Sequence, residues 1–233
     1  MKCAIIQPSY IPWRGYFHQI QKADVFVFYD DVQYDKHGWR NRNRIKTANG
    51  PAWLTIPVHS QGNVIEHTLI HDIAIDRSRA WAKKHWRTLE QAYAKAPFFN
   101  RYAPLLREYF ARKPENLCDW TIDLTIALAK ELSLGSRRFV RSSSLGVGGT
   151  RTDRVVAILK HLGATHYISG PTAKAYLEEH KLAAEGISLE YMEYLYPEYP
   201  QLFPPFEPQV SIVDLLFMTG PDAPKYIWEP TSR

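Results

Sequence analysis

The sequence predicts an α/β protein: a mostly parallel, Rossmann-like sheet flanked by helices, with a helical insertion and a small antiparallel hairpin. Three observations predict it. Short apolar runs such as "KCAIIQP", "DVFVFY" and "THYISG" are too short for helices, and the second is built of β-branched and aromatic residues. Amphipathic segments of helical period separate such runs. The first thirty residues already read strand, helix, strand, the pattern of a crossover between parallel strands.

The elements follow in order. "KCAIIQP" is a buried strand stopped by Pro8. A helix starts near Trp13, because Ile11, Phe17 and Ile20 recur at helical spacing and Pro12 is tolerated ahead of the first turn. "DVFVFY" is the second strand, and "AWLTIPV" and "HTLIHDIAI" read as strands of a hairpin beside the sheet. Between residues 77 and 135 the pattern is helical, broken at Pro97 and Pro114, which makes an insertion within one α/β domain spanning 1–233. "RRFVRSSSL" returns to strand, and "TDRVVAILKHLGA" is an amphipathic helix closed by Gly163. "THYISG" is a strand, "PTAKAYLEEH" a helix, "ISLEYMEY" a strand of alternating faces, and "QVSIVDLLFMTG" a last helix before Gly220.

Charge and composition narrow the function classes. A net charge of +5 over 233 residues is a mild basic bias that suits an anionic small molecule better than a nucleic-acid scaffold. The two cysteines, Cys3 and Cys118, lie far apart in apolar surroundings, which reads as reduced, buried thiols. No apolar run approaches the ~20 residues of a membrane span, and the first residues enter a strand without signal-peptide architecture. The expectation is a cytoplasmic protein.

In a parallel sheet, ligands sit beyond the carboxyl ends of the strands. Polar residues fall there: Gln7 and Tyr10 after the first strand, Asp30 and Asp31 after the second, Ser142 and its serine neighbours after "RRFVR", and Ser169 after "THYI". "SSSLGVGGTRTD" offers small residues ahead of a helix, where free N–H groups and Arg151 or Arg154 would face an anion, although it lacks P-loop and dinucleotide spacing. "WRGY" stands where nucleotidyl-transferring folds place a His-x-Gly-His motif; Arg14 could meet a phosphate and Gly15 allow close approach, but both histidines are missing. The richest stretch is "DDVQYDKHGWRNRNRIKT". Its acidic pair could take a proton from an attacking amine or hold Mg²⁺. Arg40, Arg42 and Arg44 alternate with Asn41 and Asn43, so an extended backbone would put guanidiniums on one face and amides on the other. Trp39 could stack on a sugar or base. His67 and His71 would share a strand face, with no third metal ligand at a recognisable spacing.

"AIIQPSYIPWRGYFHQI", "DVFVFYDDVQYDKHGWRNRNRIK" and "WLTIPV", with "THYISG", "EGISLEY" and "SIVDLLFMTG" later, resemble the WbqC-like family. The motif positions carried over are Gln7, Pro8, Gly15, Asp30, Asp31, Gln33, Lys36, Trp39, Asn41, Arg42 and Asn43. "ISGPTAKAY" departs from the glycine-rich pattern associated with that region, which puts an acceptor site there in doubt. The resemblance implies a cytosolic enzyme of O-antigen and related surface-sugar biosynthesis, with a suggested glycine (aminoacyl) transferase role on an amino sugar linked to a nucleotide. The donor could be an aminoacyl-tRNA, an aminoacyl-adenylate or an acyl-CoA; no cofactor is certain, and Mg²⁺ with a nucleotide or sugar nucleotide is the candidate. Competing expectations are a nucleotidyl transferase, a glycosyl transferase resting on the acidic pair alone, and a nucleic-acid-binding module, whose affinity would fall log-linearly with salt.

Overall fold

The computed structural model of the chain describes residues 1–59 and 68–228. The chain runs β1 (Lys2–Ile6), α1 (Arg14–Lys22), β2 (Val25–Phe28), β3 (Arg42–Thr47), β4 (Gly50–Thr55), α2 (Trp81–Tyr93), α3 (Phe99–Ala111), α4 (Leu117–Glu131), β5 (Arg138–Arg141), α5 (Arg151–Leu162), β6 (His166–Ser169), α6 (Glu179–Ala184), β7 (Ser188–Tyr191) and α7 (Ile212–Thr219). Five strands form one sheet in the order β5-β2-β1-β6-β7, and every pairing in it is parallel. β3 and β4 form a separate antiparallel pair.

Alternation along the strands explains why their sequences are apolar throughout. Ala4, Phe26, Phe28 and Ile168 face a cluster that includes Phe17 and Ile20 of α1 and Leu124 and Leu128 of α4. Cys3, Ile5, Val25, Val27 and Tyr167 face the other cluster, with Val156 and Leu159 of α5 and Leu182 of α6. Both faces are covered, so neither register of side chains can be polar. The helices of the insertion join the first cluster through Leu89, Tyr93, Leu106 and Leu128, so the sheet and the insertion share one core. Both cysteines are buried free thiols, and burial pushes each up to about 12.

Gly163 ends α5 in the left-handed conformation, φ 70°, where the last carbonyls need an N–H without a Cβ in the way. Ser211 caps α7, its hydroxyl accepting from Val213 N at 3.2 Å. After β7 the proline-rich chain crosses α1 and is pinned from below. Arg14 donates to the carbonyls of Pro197 (2.8 Å) and Tyr226 (3.1 Å). The buried Asp214 accepts from Tyr93 at 2.7 Å, Tyr199 at 2.8 Å and Gln201 at 2.9 Å.

Three segments differ from the expectation. The partner of β4 is the Arg/Asn stretch itself, because the turn at Gly50 (φ 96°) folds β4 directly back on β3. "HTLIHDIAI" is not a strand among its described residues: Ile70–Asp72 is a 3₁₀ turn, and Leu69, Ala74 and Ile75 each make one isolated bridge to a different neighbour. Its backbone groups are taken one at a time, Ile70 N by Val32, His71 N by Asp30, and the carbonyl of His71 by Asn116, so no ladder can propagate. His67 lies outside the described residues. "PTAKAYLEEH" splits into a 3₁₀ turn at Pro171–Ala175 and the short α6, because Thr152 Oγ1 takes the Glu178 N–H at 3.1 Å where a continuous helix would need it.

Candidate functional site

β1 is where the chain changes direction. β2 and then β5 stack on one side of it, and β6 and β7 on the other. The loops leaving β1 and β6 therefore diverge, and a crevice opens between them. A cleft of about 780 Å³ lies there, within the range of small-molecule sites. Gln7 and Ser9 enter it from β1, Tyr29 from β2, Ser169 and Gly170 from β6, and Arg151, Thr152 and Val155 from the start of α5. Trp13, the residue that precedes α1, and Tyr16 and Gln19 within it contribute three positions about one turn apart on a single stripe. Trp39, Arg40 and Asn43 close it from the hairpin side, and Tyr194 from the proline-rich crossing. Among the described residues that line it the charged side chains are two arginines; no carboxylate, imidazole, thiol or amine reaches it.

Arg40 is the electrostatic oddity. Its Nε and Nη1 are buried and have no hydrogen-bond partner among the described residues. Burial lowers the pKa of this guanidinium, against the opposing pull of Tyr16, Asp35 and Tyr34. Its two neighbours in the row are engaged elsewhere, although Arg44 Nε is also buried without a partner among the described residues. Arg42 donates to the Gly38 carbonyl at 3.3 Å and to that of His37, and lies over the Trp53 ring at 4.9 Å. Arg44 donates to Gln209 Oε1 at 2.8 Å and faces Glu207 at 3.7 Å. The amides point inward as the alternation expects, and they work on the backbone. Asn41 Nδ2 donates to the Ile56 carbonyl at 2.8 Å, and Asn43 Nδ2 to the carbonyls of Tyr10 (3.0 Å) and Ile11 (2.9 Å). Asn43 thus clamps Ile11, a β-branched residue held at φ 35°, in the loop that forms the cleft floor after β1.

The acidic pair lies beside the cleft, not in its lining. Asp30 is fully buried and well satisfied: it accepts from Arg141 Nε (2.6 Å), Ser143 N (2.9 Å) and Ser143 Oγ (2.8 Å). Burial alone would raise its pKa, but the bonds from Ser143 and Arg141 outweigh it and hold the carboxyl below its ordinary value. Asp31 accepts from Ser142 Oγ at 2.5 Å and pairs with Arg154, which also bonds the cleft-lining Tyr29. Ser142 Oγ therefore sits between the two acids, giving its one proton to Asp31 and accepting from the Asp30 backbone N–H at 3.1 Å. A cation held by this pair would have to displace Arg141 or Arg154, and among the described residues no group of three acidic, histidine or cysteine side chains is placed to bind a metal.

The model of the WbqC-like protein family matches residues 7–226. The chain belongs to that family. It is also 41% identical over 228 residues to an uncharacterized protein of Mycobacterium tuberculosis, with 97% of each chain covered. No solved structure matches it. No helix among the described residues is long and apolar enough to cross a membrane.

The remaining expected positions of this WbqC-like chain divide by environment. Gln7, Trp39 and Ser169 line the cleft, with Trp39 42% exposed at its mouth. Tyr10 is fully buried, its hydroxyl 2.9 Å from His85 Nδ1. Arg14 is buried against the crossing chain, 4.7 Å from the Tyr196 ring, and does not reach the cleft. Gly15 leaves room for a neighbour: a Cβ there would lie 2.6–2.8 Å from atoms of the Trp13 indole. Gln33 and Lys36 are exposed on the loop that leads to Trp39, Gln33 bridging Leu69. Sequence reasoning missed Tyr16, Gln19 and Tyr194. The available signal was the stripe Trp13, Tyr16, Gln19 on a short helix, where a glutamine occupies a position otherwise given to rings.

Proposed function

We propose that this WbqC-like chain is a transferase that holds a nucleotide-linked amino sugar in the switch-point cleft and accepts an acyl or aminoacyl group, glycine among the candidates, onto the sugar amine in surface-polysaccharide biosynthesis. The observation that carries it is the Arg40 guanidinium, with Nε and Nη1 unpaired among the described residues, in a ring-lined cleft free of carboxylates among its described lining residues. Such a wall attracts phosphate oxygens and offers faces for a base or sugar. In the reaction the amine nitrogen attacks the donor carbonyl, its C–O or C–S bond to the carrier breaks, and the carrier leaves protonated. Asp31 is the better candidate to receive the amine's proton, by way of a water from behind the cleft wall, and to pass it to the departing carrier, because Asp30 already accepts from three donors whereas Asp31 is tied to the wall through Arg154 and Tyr29. Main-chain N–H groups near Ser169 would stabilise the oxyanion.

Binding of UDP- and dTDP-linked amino sugars to the full chain, measured by calorimetry, tests the reading. Asp31→Asn should bind the same ligand and lose transfer, whereas Arg42→Ala should leave both intact because Arg42 is occupied by carbonyls and Trp53. If no member of the panel binds, the reading fails. The sheet order favours one alternative, adenylate formation, since doubly wound sheets of this order commonly seat nucleotides at the switch point. Strict dependence on ATP and Mg²⁺ would select that alternative, because simple acyl transfer survives EDTA.

A further inference from the structure

A second buried polar group in the cleft has no partner, and its sense is opposite to that of Arg40. Gln19 is 5% exposed, and its Oε1 is buried without a hydrogen-bond partner among the described residues. The other end of the same amide is fixed, with Nε2 donating to the Tyr194 hydroxyl. Tyr194 is held in turn by Trp13, whose ring meets it edge-on at 4.8 Å. Gly170 backs the pair closely: a Cβ there would stand 3.6 Å from the Tyr194 oxygen and 3.9 Å from Gln19 Nε2. The carbonyl oxygen of Gln19 is therefore an oriented acceptor, and Arg40, bordering Tyr16 on the same stripe of α1, is a pair of free donors. Buried polar groups are almost always paired, so each of these two calls for a partner, water or ligand, from the cleft.

We propose that the cleft is a bipolar recognition site, in which Arg40 takes an anionic group of the ligand and Gln19 Oε1 accepts a hydrogen bond from an N–H or O–H of the same molecule. The class of ligand rests on the nucleotide-linked sugar reading; the two polar positions do not. The rings of Trp13 and Tyr16 lie along the same wall, so the ligand carries a flat or apolar portion between its two polar ends. A diphosphate joined to a base with an N–H meets all three demands. Inorganic pyrophosphate meets only the first.

Titration calorimetry of the full chain with UDP and with pyrophosphate separates the two halves, using thermal melting to confirm that each variant folds. Arg40→Met should abolish measurable binding of both probes, and Arg40→Lys, which keeps charge without the fork, should weaken both by about tenfold. Gln19→Met, near in shape but with no acceptor oxygen, should cut the ratio of UDP to pyrophosphate affinity by about tenfold, the scale of one buried hydrogen bond. Gln19→Glu should keep that ratio within about threefold, since a carboxylate still accepts from the ligand and from the Tyr194 hydroxyl. Pyrophosphate binding that survives Arg40→Met overturns the anion half. A ratio unchanged in Gln19→Met, or lost equally in Gln19→Glu, overturns the acceptor half. Pyrophosphate held through Arg40 with UDP no tighter sinks the nucleotide reading and the acceptor half for nucleotides, while leaving the anion half in place. Tight UDP binding indifferent to both residues does the reverse.

Discussion

Replacing Arg40 with methionine should make the unliganded protein more stable. The wild-type side chain buries Nε and Nη1 without hydrogen bonds among the described residues. A buried donor left unpaired costs about 1–3 kcal/mol. Methionine fills much of the same volume with a flexible apolar chain and brings no donor. Two unmet donors, less the attraction Arg40 feels from Asp35 and the phenols of Tyr16 and Tyr34, leave a net gain of about 2 kcal/mol. For a chain of this length that is roughly a 4–8 °C rise in melting temperature. The gain should not vary with pH across the neutral range. Burial lowers the Arg40 pKa, yet a guanidinium is not deprotonated in a protein at such pH, so the cost of its charge is constant there. Differential scanning calorimetry of wild type, Arg40→Met and Arg42→Met is the assay. Arg42→Met is the control, and it should melt at or below wild type because it gives up bonds to the Gly38 and His37 carbonyls. An Arg40→Met protein that melts below wild type would mean that the guanidinium is bonded in solution, and the anion reading of the cleft would lose its support.

Other expectations are independent of the ligand. His85 is buried, and burial, opposed by a bond with the Thr55 backbone, lowers its imidazole from 6.5 to about 4. The folded state therefore binds fewer protons than the unfolded one in that window, and this contribution to stability is complete above 6.5 and lost as the pH falls towards about 4. Gln in its place should flatten the dependence by up to about 1.4 kcal/mol per pH unit, read from urea unfolding at pH 7, 6 and 5; a slope equal to that of wild type contradicts it. Asn43→Asp keeps the acceptor that takes the Arg44 N–H but sets a carboxylate against the carbonyls of Tyr10 and Ile11, so it should cost about 3 kcal/mol in urea unfolding. A loss under half that would mean the loop does not depend on the clamp. Gly15→Ala gains about 1 kcal/mol of helix propensity but overlaps the Trp13 indole, a clash of about 1–3 kcal/mol in a packed wall. Lower stability with a shifted tryptophan emission is expected; a higher melting point with unchanged emission would refute it.

The sheet was legible because its physics is local. "DVFVFY" is apolar at every position since Phe26 and Phe28 meet one core cluster while Val25 and Val27 meet the other. Helices closed by Gly163 and Gly220, and breaks at Pro97 and Pro114, were equally plain. What failed depends on partners far along the chain. "HTLIHDIAI" has strand chemistry, but its neighbours Gln33, Val58 and Asn116 take it up one residue at a time. In the cleft, the strand-end positions Gln7 and Ser169 were readable from topology, and so was the inward turn of the asparagines once an extended backbone was assumed. The placement of Asp30 was not. An acid after a strand looks alike in sequence whether it faces a cleft or lies under Ser143 and Arg141, more than a hundred residues away in the chain.

The arginines make the general point, because one residue type meets several fates here and only its surroundings decide which. Arg14 receives two carbonyls and the Tyr196 ring, Arg42 two carbonyls and an indole, Arg44 an amide and a carboxylate, Arg141 two aspartates, and Arg154 Asp31. Each of these cations holds one segment to another, although Arg14 Nε and Arg44 Nε are themselves buried without a partner among the described residues. Arg40 sits in the same row, within reach of the same kinds of group, yet two of its donors are left empty in the crevice where the sheet changes direction. Among these arginines Arg40 alone has two buried donors without a partner among the described residues. The Gln19 oxygen, also buried without a partner among the described residues, lines the same crevice, and a ligand spanning both groups would complete them.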